Sequence, residues 1–173
     1  QKYSSNKNEK RTLQQCLEAA QSGTAHWQES FQSDTQKLKL FIDLDHKMDT
    51  DTTEEQFEPR RDEWLAALSE HVVNACKEPL HTDDLAISGS CGWDPNKSVW
   101  KLSAHVVIVK YCAQRKHMLG VLQDLGLATL QGFDTSPYKG NSTLRMIGCK
   151  KQIKNDELED PRILHTETHA DNL

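Results

Sequence analysis

The sequence predicts an α+β fold in which an antiparallel sheet is covered by helices. Three observations predict it. Apolar, strand-like runs occur at 38–45, 85–88 and 99–111; segments at 9–21, 59–77 and 113–125 repeat apolar residues at helical spacing; and strands and helices interleave along the chain. With 173 residues, the chain suits one domain that buries about two-thirds of its unfolded surface.

The elements follow in order. In 9–21, Leu13, Cys16, Leu17 and Ala20 share a helical face. Residues 38–45 read as a buried strand, since five of the first seven are apolar. An acidic stretch over 49–58 leads to a helix over 59–77, with Pro59 at its entry and Trp64, Leu65, Leu68, Val72 and Ala75 on one stripe. The runs 85–88 and 99–111 read as paired antiparallel strands, joined through the turn residues Gly89, Gly92, Asp94, Pro95 and Asn96. Helical spacing returns over 113–125 through His117, Leu119, Val121, Leu122 and Leu125, with Gly126 as the stop. Two short strands are expected at 128–133 and 142–147. Residues 1–154 form the predicted domain, and 155–173 a polar tail in which only Ile163 and Leu164 are packing candidates.

Composition excludes several classes. No stretch reaches the roughly 20 apolar residues of a membrane span, so no membrane partner is expected. The five cysteines are odd in number, widely spaced and lack C-x-x-C, which argues against a disulfide framework and a cysteine zinc site and for a reducing intracellular compartment. Gln1 in place of Met is expected of an excised piece. The net charge of −5 is unevenly divided: residues 97–154 hold ten Lys or Arg against two Asp, leaving that part at +8 and the remainder at −13. A polyanionic partner for the basic part is the expectation.

Three clusters carry candidate chemistry. Asp43 and Asp45 end the first strand one residue apart, so both lie on one face, roughly 6.5 to 7 Å apart. Carboxylates that close repel unless a cation neutralises them, and a hard divalent ion such as Mg²⁺ takes oxygen ligands. In 99–111, alternation puts Lys101, Ser103 and His105 on one face and Leu102, Ala104, Val106 and Ile108 on the other. A cation, a hydroxyl and an imidazole in a row suit a phosphate chain, since each can donate to an anionic oxygen. The third cluster places Asp134 after an apolar residue, then a turn, then Arg145 within a strand and the pair Lys150 and Lys151. A strand arginine is always charged and wants an acceptor.

Together the clusters resemble the archaeo-eukaryotic primase superfamily, in the branch of primase-polymerases and the primases of herpesviruses and large DNA viruses. The likeness spans 38–151: Phe41-Ile42-Asp43-Leu44-Asp45 for the acid-x-acid strand, Ser103-Ala104-His105 with Lys101 ahead of it, and Phe133-Asp134 followed by Tyr138, Asn141, Arg145 and Lys151. The resemblance implies a core with an RRM-like antiparallel sheet. It implies that Asp43, Asp45 and Asp134 hold two divalent metals, Mg²⁺ or Mn²⁺, and are catalytic. It implies that Ser103 and His105, helped by Lys101, Arg145 and Lys151, bind the phosphates of a nucleoside triphosphate. Single-stranded DNA template and primer are the implied partners, with a helicase or zinc-binding module in the longer protein, at a site of DNA replication such as the nucleus. No zinc is expected in this chain, because His165, Glu167 and His169 lack cysteines to complete a site. The chain departs from many primase-polymerases in having Asp-x-Asp where they have Asp-x-Glu. Two other functions are compatible with the residues: a non-catalytic nucleic-acid-binding module, against which the three acids argue, and a metal-dependent nuclease, against which Lys101, Ser103 and His105 argue.

Overall fold

The computed structural model describes residues 18, 28–30, 34–35, 37–139, 143–145, 150 and 157–167. Strands β1 (Gln28–Ser30), β2 (Lys37–Lys47), β3 (Leu85–Gly89), β4 (Gly92–Asp94), β5 (Val99–Gln114), β6 (Thr143–Arg145) and β7 (His165–Thr166) are joined by helices α1 (Glu54–Ala75) and α2 (Met118–Asp124). The fold is α+β, and all strand pairs among the described residues are antiparallel. The 16-residue β5 is the centre of the main sheet, ordered β2-β5-β3-β7 with β4 also paired to β5, while β1 and β6 form a separate ribbon.

Alternation along the two long strands separates their faces. Leu40, Ile42 and Leu44 of β2 and Ala104, Val106 and Ile108 of β5 point to a core closed by Leu68 and Val72 of α1 and by Met118 and Leu122 of α2; each is at most 2 % exposed. Burying a side chain of this size contributes about 1.5–3 kcal/mol, so this layer holds the sheet against the helices. The opposite face carries the polar residues of both strands.

Local chemistry explains where the elements differ from expectation. Helix α1 begins before Pro59 because Thr53 caps it: the Thr53 hydroxyl accepts the Gln56 N–H, and the Gln56 side chain accepts the Thr53 N–H. Glu54 and Glu55 add negative charge to its first turn, where the helix dipole favours it. The helix expected over 113–125 is shorter. Ala113 and Gln114 pair with Leu38 and Lys37 as the end of β5, after a register jump in which Lys39 pairs with Cys112 but Leu40 with Ile108. A 3-10 turn over Arg115–His117 then leads into α2.

The strand expected over 128–133 is corrected to a 3-10 turn, Leu127–Thr129, set between Gly126 at φ +83° and Gly132 at φ +80°. Leu127 goes into the core, and Phe133 alone bridges to Leu44. The strand expected over 142–147 is β6 within the described residues. The helix expected over 9–21 lies outside them except for Glu18, which is helical. Of the segment expected as a polar tail, residues 157–167 pack on the domain: Leu164 is buried and Ile163 half-buried as anticipated, but Asp160 and Arg162 are buried as well. The stretch expected as a turn also supplies β4, and His165 and Thr166 extend the sheet beside β3.

Candidate functional site

The β2–β5 register sets Asp43 opposite His105 and Asp45 opposite Ser103. His105 Nε2 is 3.5 Å from Asp43 Oδ1. Lys101 reaches diagonally, donating to both oxygens of Asp45 at 2.8 and 2.6 Å. Hence the acid-x-acid strand and the Lys-x-Ser-x-His strand form one polar surface.

Asp134 joins this surface by backbone pairing. Asp45 N–H donates to Gly132 O at 2.7 Å and Asp134 N–H to Asp43 O at 2.8 Å, on either side of the Leu44–Phe133 bridge. Such an approach requires glycine at 132, since a Cβ there would lie 2.9 Å from His46 N and the backbone φ is +80°. Tyr138 locks the turn that follows. Its hydroxyl donates to Phe41 O at 2.9 Å and accepts from Asp43 N–H at 3.3 Å, and its ring stacks on Phe41 and Phe133 with centroids 5.1 and 5.7 Å away. Burial pushes the Tyr138 phenol up from its ordinary value, which keeps it a donor.

Arg145 enters from β6, donating through Nη1 to Ser90 Oγ at 2.8 Å and to Arg162 O at 3.0 Å. Arg162 is held by two carboxylates: Nε donates to Asp160 Oδ1 at 2.8 Å, and Nη2 to Asp160 Oδ2 and, at 3.3 Å, to Asp94 Oδ2. Asp94, with no exposed surface, stands 3.6 Å from Lys101 Nζ.

A pocket of about 120 Å³ is lined by Asp43, Asp45 and Asp134 together with Lys101, Ser103, His105 and Arg145, and its eighth residue is Arg162. Seven of the eight residues singled out in the sequence therefore meet in one place, and Lys151 lies outside the described residues. The sequence reading did not single out Arg162, and it took Asp94 only as a turn residue. Asp94 sits in a Gly-, Pro- and Asn-rich stretch that marks a turn, and Arg162 in a polar segment; only tertiary packing reveals that both are buried.

Among the described residues, five carboxylates, those of Asp43, Asp45, Asp94, Asp134 and Asp160, face Lys101, Arg145 and Arg162 in and around this pocket, with Lys97 beside Lys101. The imbalance falls on Asp43. Burial, then Asp134 and Asp45, push its carboxyl up to about 7, against the pull of Arg145 and Lys101. Burial and Arg145 bring His105 down to about 4, so at neutral pH the imidazole is uncharged and its contact with Asp43 is not an ion pair. Burial is also the leading cause that lowers Arg145, followed by Arg162. Asp160, which burial would raise, is held below the carboxylate range by its hydrogen bonds from Arg162.

Among the described residues the site is short of positive charge, and with three carboxylates around the opening it has the donor chemistry of a hard divalent ion. As placed, no three carboxylate, imidazole or thiol side chains among the described residues group closely enough to hold an ion. Asp45 is turned to Lys101, and Asp134 accepts from both the N–H and the hydroxyl of Ser136. Ion binding thus requires these side chains to turn.

Among the described residues no helix is long and apolar enough to cross a membrane. No protein-family model matches the sequence, and no curated protein matches it.

Proposed function

We propose that this domain is a template-dependent nucleotidyltransferase of the primase or primase-polymerase type, adding nucleotides from triphosphates to a 3′-hydroxyl. The single observation that carries the reading is the meeting of Asp134 with Asp43 and Asp45 in a pocket that also holds Lys101, Ser103, His105 and Arg145. Polymerising chemistry needs carboxylates beside donors to an anion, and little proton transfer by side chains.

Each residue then has a task on a triphosphate. Arg145 and Lys101 supply the charge that offsets phosphate oxygens, and Ser103 and neutral His105 can each donate one directional hydrogen bond. Tyr138 and the Gly132 crossing hold Asp134 against β2. Asp43, Asp45 and Asp134, once turned to the opening, would hold divalent cations, which would supply activation of the 3′-hydroxyl and stabilisation of the charge that develops at phosphorus. Burial of Lys101 and Ser103 limits competing water.

The test is incorporation of labelled nucleotides on a single-stranded DNA template, with and without primer, in Mg²⁺ or Mn²⁺. Product is expected, and Asp43→Asn and Asp134→Asn should each reduce it at least about a hundredfold. Synthesis that survives both substitutions overturns the reading; metal-dependent cleavage of the template without triphosphates replaces it with a nuclease.

A further inference from the structure

Lys101 is almost wholly buried between two carboxylates. Its ammonium donates to both Asp45 oxygens at 2.8 and 2.6 Å, and Asp94 Oδ2 lies 3.6 Å away. Asp94 is fixed independently of the lysine: Oδ1 accepts the Asn96 N–H at 3.1 Å, Oδ2 accepts Arg162 Nη2 at 3.3 Å, and its backbone pairs with Val99. Neither cation depends on it as sole partner. Arg162 already has two bonds to Asp160, and Lys101 has both oxygens of Asp45. A fully buried carboxylate in that position carries a desolvation cost without an evident need.

Its distance supplies one. A divalent ion ligated by Asp45 competes with Lys101 for the same oxygens, and two cations on one carboxylate repel. A buried ammonium that loses its counter-charge is left unpaired, which is costly unless another carboxylate takes it up. We propose that Asp94 is a positioning residue that offers Lys101 a second seat. When a divalent cation takes Asp45, the ammonium moves by under about 1 Å into hydrogen-bond range of Asp94. There it stays paired with a carboxylate, within the pocket, with donors released from Asp45 and turned to the triphosphate. Loading of the cation and capture of the phosphates are thereby coupled through one lysine. This inference rests on the nucleotidyl-transfer reading and deepens it.

Mn²⁺ binding to the full chain without nucleotide tests it, read from the electron-paramagnetic-resonance signal of free Mn²⁺. Lys101→Met removes the competing ammonium and should tighten binding at least about tenfold; Asp94→Asn removes the second seat and should weaken it by a similar factor. The double variant should bind as Lys101→Met does, within about threefold, because without an ammonium the seat has no role. Equal weakening by Asp94→Asn in both backgrounds overturns the proposal, as does Lys101→Met binding no tighter than wild type. Thermal melts report folding. If Asp94→Asn alone does not fold, Asp94→Ser takes its place, alone and with Lys101→Met, in the same two comparisons. Primer extension with Mn²⁺ binding, but no gain in Lys101→Met, removes this proposal alone. No Mn²⁺ binding by any of these chains removes the nucleotidyl-transfer reading with it.

Discussion

Asp43 and His105 face each other across two strands with their protonation reversed from the ordinary order. The carboxyl titrates near 7 and the imidazole near 4. In chelator, each makes stability depend on pH, with opposite sign. Native Asp43 keeps a proton that the unfolded chain gives up above 3.8, so its contribution falls as pH rises from about 4 to about 7. Unfolded His105 holds a proton that the native chain rejects, so its contribution rises between about 4 and 6.5. The two largely cancel in the wild type. Asp43→Asn removes only the first: relative to wild type, the variant should gain roughly 4 kcal/mol between pH 4 and 7, measured by chemical denaturation across that range. A difference that does not change with pH would show that Asp43 is an ordinary carboxylate. Both residues were legible in the sequence because strand alternation alone placed them on a polar face. Asp94 and Arg162 were not, since nothing local distinguishes a turn aspartate or a tail arginine that solvates from one that tertiary contacts bury.

At the scale of elements, the long strands over 38–45 and 99–111 and the helix over 59–77 were legible, while the start of the helix expected over 113–125 and the strand expected over 128–133 were not. Strand β5 runs on into Gln114 because pairing with β2 satisfies backbone groups that a helix start would leave open. The residues over 128–133 resemble a strand, yet Leu127 before them turns inward and Gly132 crosses β2, leaving a single bridge. Two glycines test this account in opposite directions. Gly132→Ala forces a left-handed φ on alanine and puts its Cβ 2.9 Å from His46 N, so it should destabilise by about 2 kcal/mol. The same change should displace Asp134 and lower nucleotide incorporation. Gly120 lies exposed within α2 with nothing within 4 Å of a Cβ, so Gly120→Ala should stabilise by about 0.5–1 kcal/mol. Denaturant midpoints of the two variants, moving to opposite sides of wild type, are the expected result; a Gly132→Ala midpoint equal to wild type would mean the crossing has room to give.

The whole molecule is acidic, but its charge is sorted: residues 97–154 are +8 and the remainder −13. The basic part includes β5, α2, the turn that carries Asp134, and β6, so it supplies five of the eight residues that line the pocket, while Asp43, Asp45 and Arg162 come from the remainder. Exposed Lys97 precedes β5, and its ammonium is brought down by burial and by nearby Lys101; Lys139 ends the turn after Asp134. Single-stranded DNA approaching that part should lose affinity with salt, as each phosphate contact releases condensed counterions. With on the order of four contacts, affinity should drop roughly 10- to 100-fold between 50 and 200 mM salt, read by fluorescence anisotropy of a labelled oligonucleotide. Lys97→Ala with Lys139→Ala should reduce the logarithmic slope by about 1 to 2 while leaving sequence preference unchanged. An affinity indifferent to salt would mean that the sorted charge serves no polyanion, and an affinity that rises with salt would mean that repulsion by the acidic part, which added salt screens, governs the encounter.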